Sequence, residues 1–486
     1  MAAVSRDGRN VIPSVFKMMR SLSHRGREAY GIATMDAIDI SGSIAELSFS
    51  TKKSKMAIGY NLSRILPEDQ PQPIRSDGFS LIFEGRIFPA YDETTMTTIL
   101  RLLRDDPVKG SERILRELDG TYNFAILDGE KVIIGRDVIG GRPLYYGWSR
   151  DIYAVASELK ALWAIGIMDW RPFPPGNMAI ISGEGIIFYP VGEIVRVETE
   201  PMDMDYAAGR VGSLLSESVG ERVGGINRVA IAFSGGLDSG LIAMIAKTYD
   251  VDIQLITAGL KDQPEVEHAR EAAKMLNLPI HIKIMDERDV EKILPRVLWM
   301  VEEPNPVTVS IAIPFYWVAE ATSELGFRVM FAGHGGDELF GGYYKYLGVY
   351  ERMVVDGVRE AIYNDVINSY RVNIDRDEKV CSFHNVELRL PFMDRELISF
   401  ALSIPVNLKI DSPNDQIRKR VLRRAAERMG LPKIMSYRRK RAIQYATGVN
   451  KALRRLAKRR GMNLKKLIKQ YWRELFSIQL KREKER

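Results

Sequence analysis

One stretch constrains this chain more than any other. The apolar run VAIAF (229–233) leads straight into Ser234-Gly235-Gly236-Leu237-Asp238-Ser239, and GLIAMIAK follows. An apolar run that ends in glycines and passes into a second apolar run reads as strand, turn and helix. Two glycines let backbone N–H groups come close to an anion, and the helix start adds its partial positive charge. The hydroxyls of Ser234 and Ser239 can donate to phosphate oxygens. Asp238 is wrong for a direct phosphate contact but right for a Mg²⁺ ion that bridges to one. The motif is neither a Walker A loop nor a Rossmann fingerprint, because it has no GK[ST] and no GxGxxG. A tight helix-entry turn without a ligand is the competing reading.

The flanking sequence sets the fold class. A helix over 207–223 precedes the motif. A strand, IQLITAGL (253–260), a helix (265–276) and another strand, PIHIKIM (279–285), follow it. This alternation predicts a doubly wound parallel α/β sheet. Beyond about 345 the chain reads as mainly helical. The first 190 residues differ: FSLIFEGRIF (79–88), YNFAILDG (122–129), KVIIGRD (131–137) and IYAVAS (152–157) read as short strands between turn signals. That pattern predicts a layered α+β domain. The expected boundaries are 1–195 and 207–450, joined by an acidic link, with a tail over 451–486.

The charge belongs to that tail. The 486 residues carry a net charge of +7. Residues 451–486 hold 14 Lys/Arg and 3 Asp/Glu, which leaves 56 of 70 basic and 60 of 63 acidic side chains in the body. The body is therefore mildly acidic. Leu453, Leu456, Leu464, Leu467, Ile468, Tyr471, Leu475 and Ile478 recur at helical spacing in the tail. A docked amphipathic helix with a solvated basic face is one reading, contact with RNA or another polyanion a second, and a membrane surface a third. No run reaches 18 apolar residues, and MAAVSRDGRN lacks the apolar core of a secretory signal. The single cysteine, Cys381, excludes a disulfide framework and a cysteine-based metal site, so a reducing cytoplasm is expected.

Further blocks follow the phosphate-loop motif in order. They are FAGHGGDELFGGY (331–343), VELRLPFMD (386–394), Lys419-Arg420-Val421-Leu422-Arg423 and Arg438-Arg439-Lys440. Asp337 offers a second carboxylate for Mg²⁺. With AGLKDQPEVEHAREAAKMLNLP (258–279), these blocks resemble the synthetase domain of glutamine-dependent asparagine synthetases, an ATP-pyrophosphatase (adenine nucleotide alpha hydrolase-like) fold with a helical C-terminal part. The resemblance implies that Ser234, Gly235, Gly236, Asp238, Ser239, Gly333 and Lys440 bind the nucleotide and its pyrophosphate. It also implies that Asp238 and Asp337 hold Mg²⁺, and that Lys419 stabilises charge when a nucleophile displaces AMP. His334 stands where the family has a Glu that helps to deprotonate ammonia. A histidine can take that proton at neutral pH; the competing reading is a structural histidine. Ser310, in EEPNPVTVSIAIPFY (302–316), stands near an expected Arg of the aspartate site.

The first half resembles the family's N-terminal-nucleophile glutaminase, a four-layer fold, through SHRGREAYGIAT (23–34), LDGTYNFAILD (118–128), RDVIGGRPLYY (136–146) and ASELKAL (156–162). Such domains begin Met-Cys-Gly. Here Ala2 follows the initiator, Cys381 is in the other half, and Ser5 would need removal of Met1 to Val4. An upstream start that adds Met-Cys-Gly-Ile-Val is the alternative. Three departures are independent of the start. The oxyanion-hole Asn-Gly reads Glu84-Gly85, where an acid would repel a forming oxyanion. The next position is Arg86, and the substrate-binding Asp reads Thr95 or Met96. Glutaminase chemistry is therefore expected to be lost. The expected protein is an ATP- and Mg²⁺-dependent ligase that adenylates a small carboxylate, aspartate first, and passes it to ammonia. Another acceptor, RNA-linked or not, and a non-catalytic homologue are the rival readings. A separate glutaminase as ammonia source, a homodimeric state and no membrane partner complete the expectation.

Overall fold

Alternation along the strands builds the first unit. The computed structural model describes residues 1–48, 52–89, 94–438 and 442–484, and the chain divides into two units, Met1–Glu193 and Ile194–Arg486. In the first unit, Ala2–Ser5 lies between Met56–Leu62 and Ile152–Ala156 in a seven-stranded antiparallel sheet. Phe79–Phe88 pairs with Asp119–Asp128 over ten residues at the heart of a six-stranded antiparallel sheet. Period-two alternation sends Ala2 and Val4 toward Ile82, Leu127 and Ile134 of the second sheet. Ala3 turns the other way, onto Val15 and Met19 of the helix Ile12–Ser21. On the far side, Leu81, Phe83 and Ile133 pack on Ile99 and Ile114 of the helices Thr95–Leu103 and Pro107–Glu117. Helix, sheet, sheet and helix make four layers.

The second unit is built on five parallel strands. These are β1 (Arg228–Ala232), β2 (Asp252–Leu260), β3 (Ile280–Met285), β4 (Val329–Phe331) and β5 (Glu387–Arg389), in the order β3-β2-β1-β4-β5. The long strands are near-continuous apolar runs because helices cover both faces. β1 and β4 are neighbours, with Ala230 opposite Met330 and Ile231 opposite Phe331. The strand order reverses between them. The loops that leave their C-terminal ends therefore open onto one crevice, where ligands of such sheets bind. β5 lies in a region that reads as mainly helical, and three residues are too few to display a strand period.

The C-terminal segment is docked. Its helices Val449–Arg459 and Leu464–Lys484 bury Leu453, Leu456, Leu467 and Ile468 in packing that involves the helices Glu287–Val301 and Pro306–Glu324. Part of the basic face is spent inside the unit: Arg455 lies 2.5 Å from Glu287, and Arg460 lies 2.7 Å from Glu291. Such exposed pairs contribute about 0–1 kcal/mol each, so the apolar stripe does most of the anchoring. Among the described residues, no helix is long and apolar enough to cross a membrane. Leu453→Ala should destabilise the second unit by about 2–5 kcal/mol, read as a lower urea midpoint. An unchanged midpoint would mean that the segment is an appendage.

Candidate active site

The loop after β1 is shaped by its own side chains. Ser239 Oγ accepts the N–H of Ser234 at 3.2 Å, and Ser234 Oγ accepts that of Gly236 at 3.3 Å. Gly235 has φ +69°, a left-handed conformation that glycine adopts without cost. Its carbonyl oxygen lies 2.8 Å from His268 Nε2, which must carry the proton to donate to it. A Cβ on Gly235 would stand 2.8 Å from the His268 ring. The helix Leu237–Ala246 begins directly after the loop and has no side-chain cap. Its free N–H groups and partial positive charge are thus left for an anion.

The loop after β4 packs its backbone on Asp238. A Cβ on Gly333 would lie 2.9 Å from Asp238 Cβ, and one on Gly336 would lie 2.9 Å from Asp238 Cγ. Glycine is thus the residue that lets the two loops touch. Asp337, in the short helical turn Gly336–Leu339, faces the same point as Asp238. Lys419 fills that point. Its Nζ lies 2.7 Å from both carboxylate oxygens of Asp238 and 2.6 Å from Asp337 Oδ1. All three side chains are largely buried. A methyl group on Gly342 would overlap the Asp337 carboxylate and Lys419 Cε.

A strained turn delivers the lysine. Arg418 and Lys419 both have positive φ, +52° and +51°. Such residues cost about 1–2 kcal/mol each, and the surroundings must hold them. Asp415 Oδ1 accepts the N–H groups of Ile417 and Arg418 at 2.9 and 2.8 Å. Burial raises the Asp415 pKa, but these donors outweigh it and hold the carboxylate below its usual range. Arg423, in the helix Arg420–Arg428, donates to the carbonyls of Arg418 and Ile417 at 2.7 Å each and also to Ser436. Arg418 itself donates to the Gly342 carbonyl at 3.1 Å. The spacing of the Lys-x-x-x-Arg block therefore has a physical cause: the arginine clamps the turn that aims the lysine.

His334 points elsewhere. Its Nε2 lies 2.6 Å from Asp377 Oδ2, and its ring meets Phe315 edge-on with centroids 5.7 Å apart. Asp377 is on the helix Asp375–Phe383 and is almost fully buried. Burial raises its pKa, but the Arg376 charge and the hydrogen bonds from His334 and Arg376 hold it ionised, below the usual carboxylate range. Arg376 binds it through two bonds of 2.8 and 2.6 Å. Ser310 is fully buried and its hydroxyl donates to the Val307 carbonyl of its own helix. Lys440 lies outside the described residues. Cys381 is buried on the same helix as Asp377.

In the first unit two of the departures from the glutaminase pattern, Glu84 and Arg86, lie in ion networks. Arg25 donates to Glu84 at 2.7 Å and to Glu158 at 2.9 Å, and Ser157 donates to Glu84 at 2.9 Å. His24 and Lys160 complete the shell around the buried Glu158. Arg86 binds Asp69 through two bonds of 2.5 and 2.6 Å.

Sequence reasoning missed His268, Gly342, Asp377 and the clamping role of Arg423. His268 and Asp377 act on residues 33 and 43 positions away, and the roles of Gly342 and Arg423 depend on how Lys419 is turned, so no local pattern reveals them. Two variants test the triad. Gly342→Ala should split Asp337 from Lys419 and abolish ATP turnover, while Arg423→Met should loosen the turn and lower turnover without unfolding the unit. Wild-type turnover with either one, the fold checked by circular dichroism, would overturn this geometry.

Two family descriptions match the chain: "Asparagine synthase" over residues 210–354 and 350–476, and "Glutamine amidotransferase domain" over 60–164. A Methanocaldococcus jannaschii protein, provisionally named asparagine synthetase (glutamine-hydrolyzing) 1, is 28% identical over 93% of both chains. The asparagine synthetase (glutamine-hydrolyzing) of Brassica oleracea is 28% identical over 70% of this chain, which spans 59% of that relative. A solved glutamine phosphoribosylpyrophosphate amidotransferase from B. subtilis aligns over 58% of this chain and 64% of that one, at 19% identity and a TM-score of 0.36. That score is too low to carry a fold argument. The synthase match covers more than half of the chain, including both acidic loops and Lys419: the chain belongs to the asparagine synthase family of ATP-dependent ligases.

Proposed function

We propose that the second unit adenylates a carboxylate, with aspartate the leading case, releases pyrophosphate, and passes the acyl group to ammonia with release of AMP. The observation that carries this reading is the meeting of Asp238, Asp337 and Lys419 beside an uncapped helix start. The N–H groups of the loop and of the helix's first turn bind phosphate oxygens. Lys419 is a fixed cation where negative charge builds up on transferred oxygens. Two carboxylates that face one atom are also the donor set a hard cation needs. Asp238 and Asp337 would hold Mg²⁺, which, when bound, neutralises phosphate charge.

His334 serves as the base for the incoming amine. With its Nε2–H donated to Asp377, its other ring nitrogen is the basic one. Asp377 is a positioning residue: it fixes the tautomer and supports the imidazolium that forms. We propose free ammonia as the nitrogen source, because Glu84 and Arg86 are engaged in the ion networks of the first unit. A separate glutaminase and a homodimeric state belong to this proposal.

The assay is pyrophosphate release from ATP with Mg²⁺, aspartate and ammonium. Asparagine should form with ammonium and not with glutamine in its place. Release only with another amine or with RNA would favour the RNA-linked reading, in which the basic C-terminal segment docks the substrate. Asp238→Ala should abolish release. Lys419→Met should slow it by about 10²–10³; a milder effect would refute its role. His334→Ala should cut amide formation by about 10²–10⁴ while ATP–pyrophosphate exchange continues. Loss of both together would instead mark His334 as structural.

A further inference from the structure

Glu338 follows Asp337 in the loop after β4, yet its carboxylate has other partners. It is only 4% exposed. One oxygen, Oε2, accepts the N–H of Gly335 at 3.2 Å. The other, Oε1, accepts the Tyr343 hydroxyl at 2.6 Å and the Asn373 side-chain amide at 2.7 Å. Three donors on one buried carboxylate fix it firmly, because bonds to a charge are strong where water is excluded. Burial first, and the Glu338 charge second, raise the Tyr343 pKa, so its hydroxyl keeps the proton that it donates.

Two of these donors belong to the segments that carry His334 and Asp377. Gly335 directly follows His334 and has φ +96°, a conformation left to glycine. Asn373 lies in a π-helical turn, Tyr370–Ile374, which leads into the helix Asp375–Phe383 and so into Asp377. Such turns recur at functional sites. Arg376 donates back to the Val372 carbonyl of that turn at 3.1 Å while it grips Asp377. Loop and helix are thus tied at two points, Glu338 to Asn373 and His334 to Asp377. One tie alone would act as a hinge. Two ties, four residues apart on each side, fix how the loop meets the helix.

We propose that Glu338 is a positioning residue for amide formation: through Gly335 and Asn373 it holds His334 and Asp377 in the register in which the imidazole takes the proton of the incoming amine. This rests on the reading of His334 as the base. Glu338 itself touches neither the nucleotide nor the amine. Its effect falls on the second half of the reaction, after the carboxylate has been adenylated. Loosening it should let the imidazole drift from the line of attack while the phosphate loop stays in place.

The test separates the two half-reactions in the full chain. Asn373→Leu keeps the side-chain shape, cuts the tie to the π-helical turn and leaves the loop around Asp337 unaltered. It should lower kcat for amide formation with ammonium by up to about 10²-fold, as a small misplacement of a reacting group does, while ATP–pyrophosphate exchange continues. Glu338→Gln, which sets an amide N–H where an acceptor is needed, should act in the same way and serves if the leucine variant does not fold. In a His334→Ala background, Asn373→Leu should bring no further loss, because the group that it positions is gone. Equal loss in both half-reactions, an unchanged kcat for amide formation, or a full additional loss in the His334→Ala background overturns the proposal. If His334→Ala by itself leaves amide formation intact, the base assignment fails, and the positioning role falls with it.

Discussion

The second unit is organised around one ammonium group shared by two carboxylates. Lys419 is nearly sealed from solvent between Asp238 and Asp337. Desolvating three charges is expensive, and the attraction repays it only when geometry is good and further bonds complete each group. Without the cation, two carboxylates would face each other and repel. The loops of β1 and β4 would then separate. The triad carries one excess negative charge, which favours a further cation beside it. The glycines of both loops serve this contact, since side chains at Gly333, Gly336 or Gly342 would push the partners apart.

The parts of the site that were legible in the sequence are those whose chemistry is local. The strand, the glycines and the helix start around Ser234–Ser239 form one continuous segment, so pattern and geometry coincide. Asp238, Asp337 and Lys419 were readable as separate candidates, but their meeting was not. It depends on β4 lying beside β1 and on a left-handed turn before Arg420–Arg428, and no periodicity records either. Lys419 read by itself looks like a solvated lysine in a basic run. Only the buried carboxylates show why it is fixed. The same holds for His334: its residue type fits a base, but the partner that orients it is 43 positions away.

The first unit shows the converse. Strand alternation made its layers readable, since a one-residue slip would turn Ala2 and Val4 away from the second sheet. The departures at Glu84 and Arg86 were also visible, as changes of charge. What they do was not, because Arg25, Asp69 and the pair Ser157-Glu158 come from separate segments of the chain. The basic segment at the C-terminus falls between the two cases. Its apolar stripe was read from spacing, whereas the pairing of Arg455 and Arg460 with Glu287 and Glu291 was hidden in the tertiary fold.

Asp238 and Lys419 lie 181 residues apart in the chain. Long-range closures of this kind are slow, because the entropy of a large loop is lost before the contact rewards it. On a ribosome, the glycine loop and its helix emerge well before the turn that carries the lysine. Under the proposed function, a nascent chain would shape the loop before it has the charge that completes the site. Nucleotide turnover would then wait until synthesis has passed the last strand of the sheet and the turn that carries the lysine.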